Sequence, residues 1–247
     1  MDLGLADKAF LVTGGSRGLG FATAQALVAE GAKVVVASRD EKSVGAAAQE
    51  LGCTGVAADL ADPDAPAALV DSCVATYGRI DGALVSVGGP PAGDSLGLTD
   101  EQWRGAFESV FLGAVRVCRA VTEALPAEGG ALALVLSTST KAPIGGLAAS
   151  NGLRPGLGML AKSMADELGP RNIRVNGLLP GRVDTDRVRQ LDGDDPAVRD
   201  RNELAIPLRR YGQPAEFGQV AAFLLSPAAS YVTGAMIPVD GGQLRAL

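Results

Sequence analysis

The sequence predicts an α/β fold, a doubly wound parallel sheet of about seven strands with helices on both faces. Short apolar, β-branched runs alternate along the chain with segments of helical period. A glycine-rich turn joins the first of these runs to the first helix. The chain has 247 residues and is 47% hydrophobic, which suffices for one large core, and no shift in composition marks a linker. We therefore expect a single domain over 1–247.

The first strand, predicted over 9–12, leads through the glycine-rich turn into a helix over 21–30. Gly14, Gly18 and Gly20 lack the Cβ atoms that would keep a pyrophosphate away from the backbone. The helix that opens there offers free N–H groups and the positive end of its dipole. The turn therefore predicts a nucleotide phosphate site, although its G-x-x-x-G-x-G spacing differs from G-x-G-x-x-G. The alternative is a turn that only packs a helix closely against the sheet.

Composition excludes several classes of chemistry. The chain has no histidine, which rules out Ser-His-Asp and Cys-His catalysis and the commonest zinc sites. Its three cysteines form neither metal-ligand spacing nor an even disulfide set, so we expect no metal. A net charge of −6 argues against nucleic acid as a partner. With no presequence pattern and no apolar run of membrane length, we expect a cytoplasmic protein without a membrane partner.

Further motifs match one known family. They are the glycine-rich turn, Asp59-Leu60 after the third strand, Asn176, Pro180-Gly181 and the segment from Val239 to Gly242. With them the chain resembles the short-chain dehydrogenase/reductase family over nearly its whole length, and ketoreductases of the 3-oxoacyl-carrier-protein type in particular. The resemblance implies a Rossmann-type sheet, a nicotinamide cofactor and a small-molecule substrate. It also implies a homo-oligomer, dimer or tetramer, because long helices of the family pair between subunits.

The end of the second strand bears on the choice of cofactor. The run over 33–37 is followed by Ser38, Arg39 and Asp40. At this point a carboxylate bonds the ribose 2′-hydroxyl of NAD, whereas an arginine accommodates the 2′-phosphate of NADP. Ser38 holds the usual carboxylate position and Arg39 follows it, with Arg17 as a second cation, so we expect NADP(H) in preference to NAD(H). Asp40 supports NAD as the weaker alternative, and two ordinary surface arginines would also fit the pattern.

The remaining elements follow in order. We predict helices over 41–51, 62–77, from 99 towards 126, and 214–225, and strands over 54–58, 80–87, 131–136, 173–178 and 235–239. After the fourth strand the family usually has Asn-Asn-Ala-Gly, but this chain runs from Ser86 through Gly88 to Pro91. The charged stretch 186–210 suggests a substrate lid around 183–210, or alternatively a solvated helical face. The cofactor-binding residues implied by the resemblance are Gly14, Ser16, Arg17, Gly18, Leu19, Gly20, Ser38, Arg39, Asp59, Leu60, Ser86, Gly88, Pro180, Gly181, Val183 and Thr185.

The family's catalytic serine precedes its tyrosine by thirteen residues, and the tyrosine precedes a lysine by four. Aligned on the helix from Ala161 to Leu168, those three positions fall on Ser137, Ser150 and Arg154. Alignment of Trp103 and Gly113 with their family counterparts places the family's relay asparagine at Val110. No tyrosine of this chain is followed four residues later by lysine. Asn151 is a further catalytic candidate. Pro155, with glycines nearby, predicts an irregular helix around 150–156.

These residues lead to three hypotheses. The first is an NADP-dependent ketoreductase in which Ser137 and Arg154 stabilise the alkoxide and water or a substrate acid supplies the proton. An aromatic or polyketide-like ketone with a neighbouring phenol would suit it. The second is a non-redox isomerase or dehydratase on the same scaffold, and the third is a catalytically inactive cofactor-sensing or assembly subunit. Lys141, Asn151 and Ser139 are the nearby candidates for the proton donor.

Overall fold

The computed structural model describes residues 2–193 and 195–246, and they fold around one parallel sheet. Its strands lie in the order β3-β2-β1-β4-β5-β6-β7, and every neighbouring pair is parallel. The fold class predicted from the sequence is confirmed. The strands are β1 Ala9–Thr13, β2 Lys33–Ser38, β3 Thr54–Ala57, β4 Gly82–Val85, β5 Gly130–Val135, β6 Ile173–Pro180 and β7 Met236–Val239.

Helices cover both faces of the sheet. One face carries α1, α2 and α9, which bury side chains such as Leu27 and Phe217 against Phe10 of β1. The other carries α3, α5 and α6, represented by the fully buried Leu69 and Leu157. The helices are α1 Gly18–Ala29, α2 Glu41–Leu51, α3 Ala65–Tyr77, α4 Asp100–Ala106, α5 Gly113–Ala124, α6 Ala148–Leu168, α7 Asp186–Asp192, α8 Pro196–Ala205 and α9 Pro214–Leu225. Within the described ranges, no helix is both long and apolar enough to cross a membrane.

The long helix predicted from residue 99 is divided into three parts. Thr99 caps α4 through a reciprocal pair of hydrogen bonds with Gln102, as the sequence indicated. A π-helical turn, Phe107–Leu112, then separates α4 from α5. Val110 lies on this turn with 1% of its surface exposed. Such turns occur often at functional sites.

The prediction of an irregular helix around 150–156 is wrong, because α6 is continuous through Pro155. Proline removes the hydrogen bond to the carbonyl of residue 151. Packing outweighs that loss: Leu157 is buried in the core, and Gly152 and Gly156 let α6 approach Trp103 and Phe111 closely. A Cβ on Gly156 would lie 3.0 Å from the Phe111 ring.

The strand order places a crevice beside β1 and β4. From β1 the chain winds outward in opposite directions, so the connections that follow β1 and β4 separate at the carboxyl edge of the sheet. The two strand ends are tied together there. The Thr13 hydroxyl donates to the Ser86 carbonyl (2.9 Å) and accepts from the Ser86 N–H (2.9 Å).

Candidate active site

The glycine-rich turn is shaped by contacts that only glycine permits. Gly14 has a φ of 61°, and a Cβ there would lie 2.8 Å from the Ser86 carbonyl oxygen. A Cβ on the buried Gly20 would overlap the carbonyl of Gly14. No side chain caps α1, because its N-cap residue, Arg17, makes no capping hydrogen bond. The backbone N–H groups of the first turn, near Ser16 and Leu19, can therefore donate hydrogen bonds to an anion such as the pyrophosphate of a dinucleotide.

At the end of β2, the side chain of Asp40 forms a hydrogen bond within the protein. Its carboxylate caps α2 by accepting from the Ser43 N–H (2.7 Å). Hydrogen bonds from Ser43, together with the nearby positive charge of Arg17, lower the pKa of Asp40. Ser38 is half-buried and Arg39 is exposed. The structure thus brings Arg17 towards the end of β2, where the sequence placed the cofactor's adenosine.

The next two strand ends complete this side of the crevice. After β3, exposed Asp59 accepts from the N–H of Ala61 (3.1 Å), and half-buried Leu60 packs against Gly113 of α5. After β4, Ser86 is half-buried and Gly88 is exposed. The predicted adenine and nicotinamide neighbours therefore line one continuous edge.

The opposite wall comes from the segment after β6. Thr185 caps α7 and faces the glycine-rich turn, because a Cβ on Gly18 would lie 3.4 Å from the Thr185 methyl group. The N–H of Gly181, after Pro180, donates to the Val239 carbonyl (3.1 Å). Val183 is buried and pairs with Gly212 as an isolated bridge. The predicted residues of this turn thus stand across the crevice from α1.

The segment 183–210 contains two helices, α7 and α8, which are joined by a cluster of hydrogen bonds around Tyr211. The buried Tyr211 donates its hydroxyl to Asp192 (2.6 Å) and accepts from the amide of Asn202 (3.0 Å). Arg182 forms an ion pair with the same Asp192. Burial and the hydrogen bond to Asp192 raise the pKa of Tyr211. This cluster holds the end of α7 against α8.

Three serines meet near the end of β5. The Ser137 hydroxyl oxygen accepts from the N–H of Ser139 (3.0 Å), and the hydroxyls of Ser139 and Ser150 are 3.1 Å apart. Ser139 and Ser150 are both buried, whereas Ser137 is half-buried. Ser137 is therefore the most accessible of these hydroxyls.

Arg154 lies one helical turn beyond Ser150 and has only 6% of its surface exposed. Its Nη1 donates to the Val135 carbonyl (2.6 Å). Burial, and to a smaller extent the positive charge of Arg187, lowers the pKa of Arg154 to about 10. The guanidinium is still a cation at neutral pH.

Arg187, on α7, reaches the loop after β4. Its Nη2 donates to the Pro90 carbonyl (2.9 Å), and a Cβ on Gly89 would lie 2.8 Å from its Nε. Sequence reasoning did not single this residue out. It lies in a stretch with many charges, and no spacing distinguishes it from Arg189.

Asn151 is turned to another task. Its Oδ1 accepts from the N–H of Ile144 (3.0 Å), and its Nδ2 donates to the Ile144 carbonyl (2.8 Å). Both ends of the amide thus hold the loop that leads into α6. Asn151, which the sequence suggested as a catalytic residue, therefore has a structural role in this loop.

Comparison with known proteins decides the family. A family model described as enoyl-(acyl carrier protein) reductase matches residues 14–243. The 3-oxoacyl-[acyl-carrier-protein] reductase MabA of Mycobacterium tuberculosis is 35% identical, over 96% of this chain and 92% of its own length. The chain belongs to the short-chain dehydrogenase/reductase family. It is accordingly an oxidoreductase of the short-chain kind.

Solved structures of short-chain reductases match this fold over its whole length. L-sorbose reductase from Gluconobacter frateurii, in complex with NADPH and L-sorbose, superposes with a TM-score of 0.94 at 29% identity and 100% coverage of both chains. A short-chain oxidoreductase from Pseudomonas aeruginosa PAO1, described as containing an atypical catalytic center, superposes with a TM-score of 0.91 at 29% identity. That match covers 99% of this chain and 100% of the other.

Proposed function

We propose that this short-chain enzyme is an NADP(H)-dependent ketoreductase that works without the tyrosine acid of its family. The observation that carries the proposal is the buried cation of Arg154, one helical turn beyond Ser150, whose Nη1 donates to the carbonyl of Val135, two residues before Ser137. A cation in a dry site stabilises a developing alkoxide strongly. Arg154 could therefore stabilise the substrate oxygen, although Ser150 occupies the position of the family's catalytic tyrosine.

The residues divide the chemistry as follows. NADPH, when bound, supplies the hydride for the carbonyl carbon. Ser137, half-buried at the crevice, donates a hydrogen bond to the carbonyl oxygen, and Arg154 stabilises the negative charge that grows on it. Neither is a good acid near neutral pH, so the proton comes from water or from an acidic group of the substrate. Ser150 orients Ser139, and Asn151 positions the loop rather than moving a proton.

The cofactor fits the residues at the carboxyl edge of the sheet. Gly14, Gly18 and the uncapped start of α1 hold the pyrophosphate, and Thr185 reaches it from the opposite wall. Arg17 and Arg39 bind the 2′-phosphate of NADPH. Asp40 does not select NAD, because its carboxylate caps α2.

We extend the proposal to the wider molecule. Residues 1–247 act as one domain, and α7 and α8 act as a substrate lid. The protein is a cytoplasmic homo-oligomer that associates through the outer side of α4 to α6, where Phe107 is 43% and Met159 is 70% exposed.

A binding titration followed by turnover tests the proposal. We expect NADPH to bind more tightly than NADH, and NADPH to be consumed when a suitable carbonyl compound is added. Substrate conversion without consumption of NADPH would favour a non-redox isomerase or dehydratase. Cofactor binding without any conversion would favour a cofactor-sensing or assembly subunit.

A further inference from the structure

Two cations at the carboxyl edge of the sheet have no anionic partner in the part of the chain that the structure describes. Arg154 and Arg187 form no ion pair within residues 2–193 and 195–246. Arg154 donates to the end of β5 and Arg187 to the loop after the neighbouring strand β4, so both guanidinium groups lie at this edge of the sheet, where the charge of Arg187 helps to lower the pKa of Arg154. Each has instead a neutral partner, the backbone carbonyls of Val135 and Pro90.

Two other arginines of the same region are paired. Arg189, two residues after Arg187, binds the carboxylates of Asp184 and Asp186. Arg199 on α8 likewise binds Asp184 and Glu203. The pairing of these surface arginines shows that carboxylates are plentiful in the lid. Arg187 nevertheless points away from them, to the loop that borders the crevice.

Two like charges, one of them buried, repel each other, and burial of Arg154 adds a desolvation cost. A bound oxyanion would offset both effects, because guanidinium groups pair with carboxylates and phosphates through two parallel hydrogen bonds. The alkoxide alone does not explain Arg187, since Ser137 and Arg154 already serve that oxygen in the proposed reaction.

We infer that the substrate is a carbonyl compound that carries an oxyanion, a carboxylate or a phosphate ester, and that Arg187 binds this group beside Arg154. The inference rests on the proposed function and names its substrate class. Hydride goes from NADPH to the carbonyl carbon while the C–O π electrons move to the oxygen. That oxygen takes a proton from water, so the products are an anionic alcohol, NADP⁺ and a hydroxide ion that the buffer neutralises.

Matched substrate pairs test the inference. One pair is a small oxo acid and its amide, and the other is a phosphorylated hydroxyketone and its dephosphorylated form. The wild-type enzyme should use at least one anionic member about tenfold better in kcat/KM than its neutral partner, as expected for a hydrogen bond between charged groups. The pair that shows the difference identifies the anion.

Variants then assign the preference to Arg187. Arg187→Met should raise KM for the anionic substrate about tenfold, leave the neutral partner unchanged and leave the Kd of NADPH unchanged. Arg187→Lys should restore part of the difference. Arg201→Met removes one charge from an exposed position on α8 of the same lid and should change none of these values.

Calorimetry separates the two proposals. Binding of the anionic compound to the enzyme–NADP⁺ complex, weakened by Arg187→Met and not by Arg201→Met, would support the inference even without turnover. Equal use of charged and neutral partners would overturn it and leave the ketoreductase intact. An Arg187→Met variant that loses NADPH affinity instead would also overturn it, because Arg187 would then serve the cofactor.

Discussion

Replacing Arg154 by methionine should abolish most turnover while the fold survives. The variant removes the buried cation of Arg154 and keeps an apolar chain of similar length in its place. Loss of a single donor to a developing oxyanion lowers kcat by about a hundredfold or more. Steady-state oxidation of NADPH, followed with a carbonyl substrate, measures the effect.

The stability change for this variant has two opposing parts. The Val135 carbonyl loses its donor at 2.6 Å, which costs about 1–3 kcal/mol for a buried acceptor. Removal of a desolvated cation works the other way, so the melting temperature should fall by no more than about 5 °C, at about 2–4 °C per kcal/mol. Calorimetry measures this change on the same preparation.

Arg174→Met is the matched control. Arg174 is half-buried and donates to the carbonyls of Leu224 (2.7 Å) and Ser226 (2.9 Å), at the opposite end of the sheet. We expect this variant to lose stability and to keep the kcat of the wild type. If Arg154→Met keeps its turnover within about threefold, well short of the loss of one oxyanion donor, the role given to Arg154 is wrong.

The other predictions concern pH, the cofactor and the serines. Because the pKa of Arg154 is lowered from its ordinary value to about 10, kcat/KM should be level below that pH and fall as the pH rises through about 10; a level profile to higher pH would contradict the role of the cation. The folded protein loses this proton before the unfolded chain does, so the unfavourable contribution of Arg154 to stability is relieved above pH 10. Arg39→Ala should weaken NADPH about tenfold and leave NADH unchanged in a fluorescence titration, and equal weakening of both would remove Arg39 from the phosphate site. Gly20→Ala should abolish NADPH binding and cost about 1–3 kcal/mol in denaturant unfolding, whereas Gly45→Ala, in open space on α2, should leave binding intact and stabilise by about 0.5–1 kcal/mol. Ser137→Ala should lower kcat by about a hundredfold, while Ser150→Ala should change it by less than about threefold; the reverse order would assign the hydrogen bond to the substrate oxygen to Ser150 and not to Ser137.

The fold could be predicted because its signals are periodic and local. Doubly buried strands require runs such as Val34 to Val36, and α9 begins at Pro214 and ends at Leu225 as the pattern indicates. The prediction failed at Pro155, where local propensity and packing disagree. Sequence showed the missing N–H, but the closeness of α6 to Trp103 and Phe111 depends on residues about 45 positions away and became visible only in three dimensions.

The candidate site could be predicted only in part. The family resemblance assigned Gly14, Ser86 and Thr185 to the cofactor, and the strand order brings them to one edge of the sheet because the carboxyl ends of parallel strands meet there. Arg187 could not, because its direction depends on a contact with Pro90, 97 residues away in the chain. Asn151 was assigned to catalysis from its position alone, and its hydrogen bonds to Ile144 were not visible in the sequence.

The most direct test of the central claim follows the hydride. The enzyme is incubated with NADPH deuterated at C4 of the nicotinamide and with the preferred carbonyl substrate, and the product is examined by mass spectrometry. We predict an alcohol that carries deuterium on the former carbonyl carbon, formed in equal amount to NADP⁺, with the signal nearly lost in Arg154→Met. Product without deuterium, formed while NADPH remains unconsumed, would contradict the proposed ketoreductase activity. It would indicate a reaction without net oxidation or reduction, such as isomerisation or dehydration.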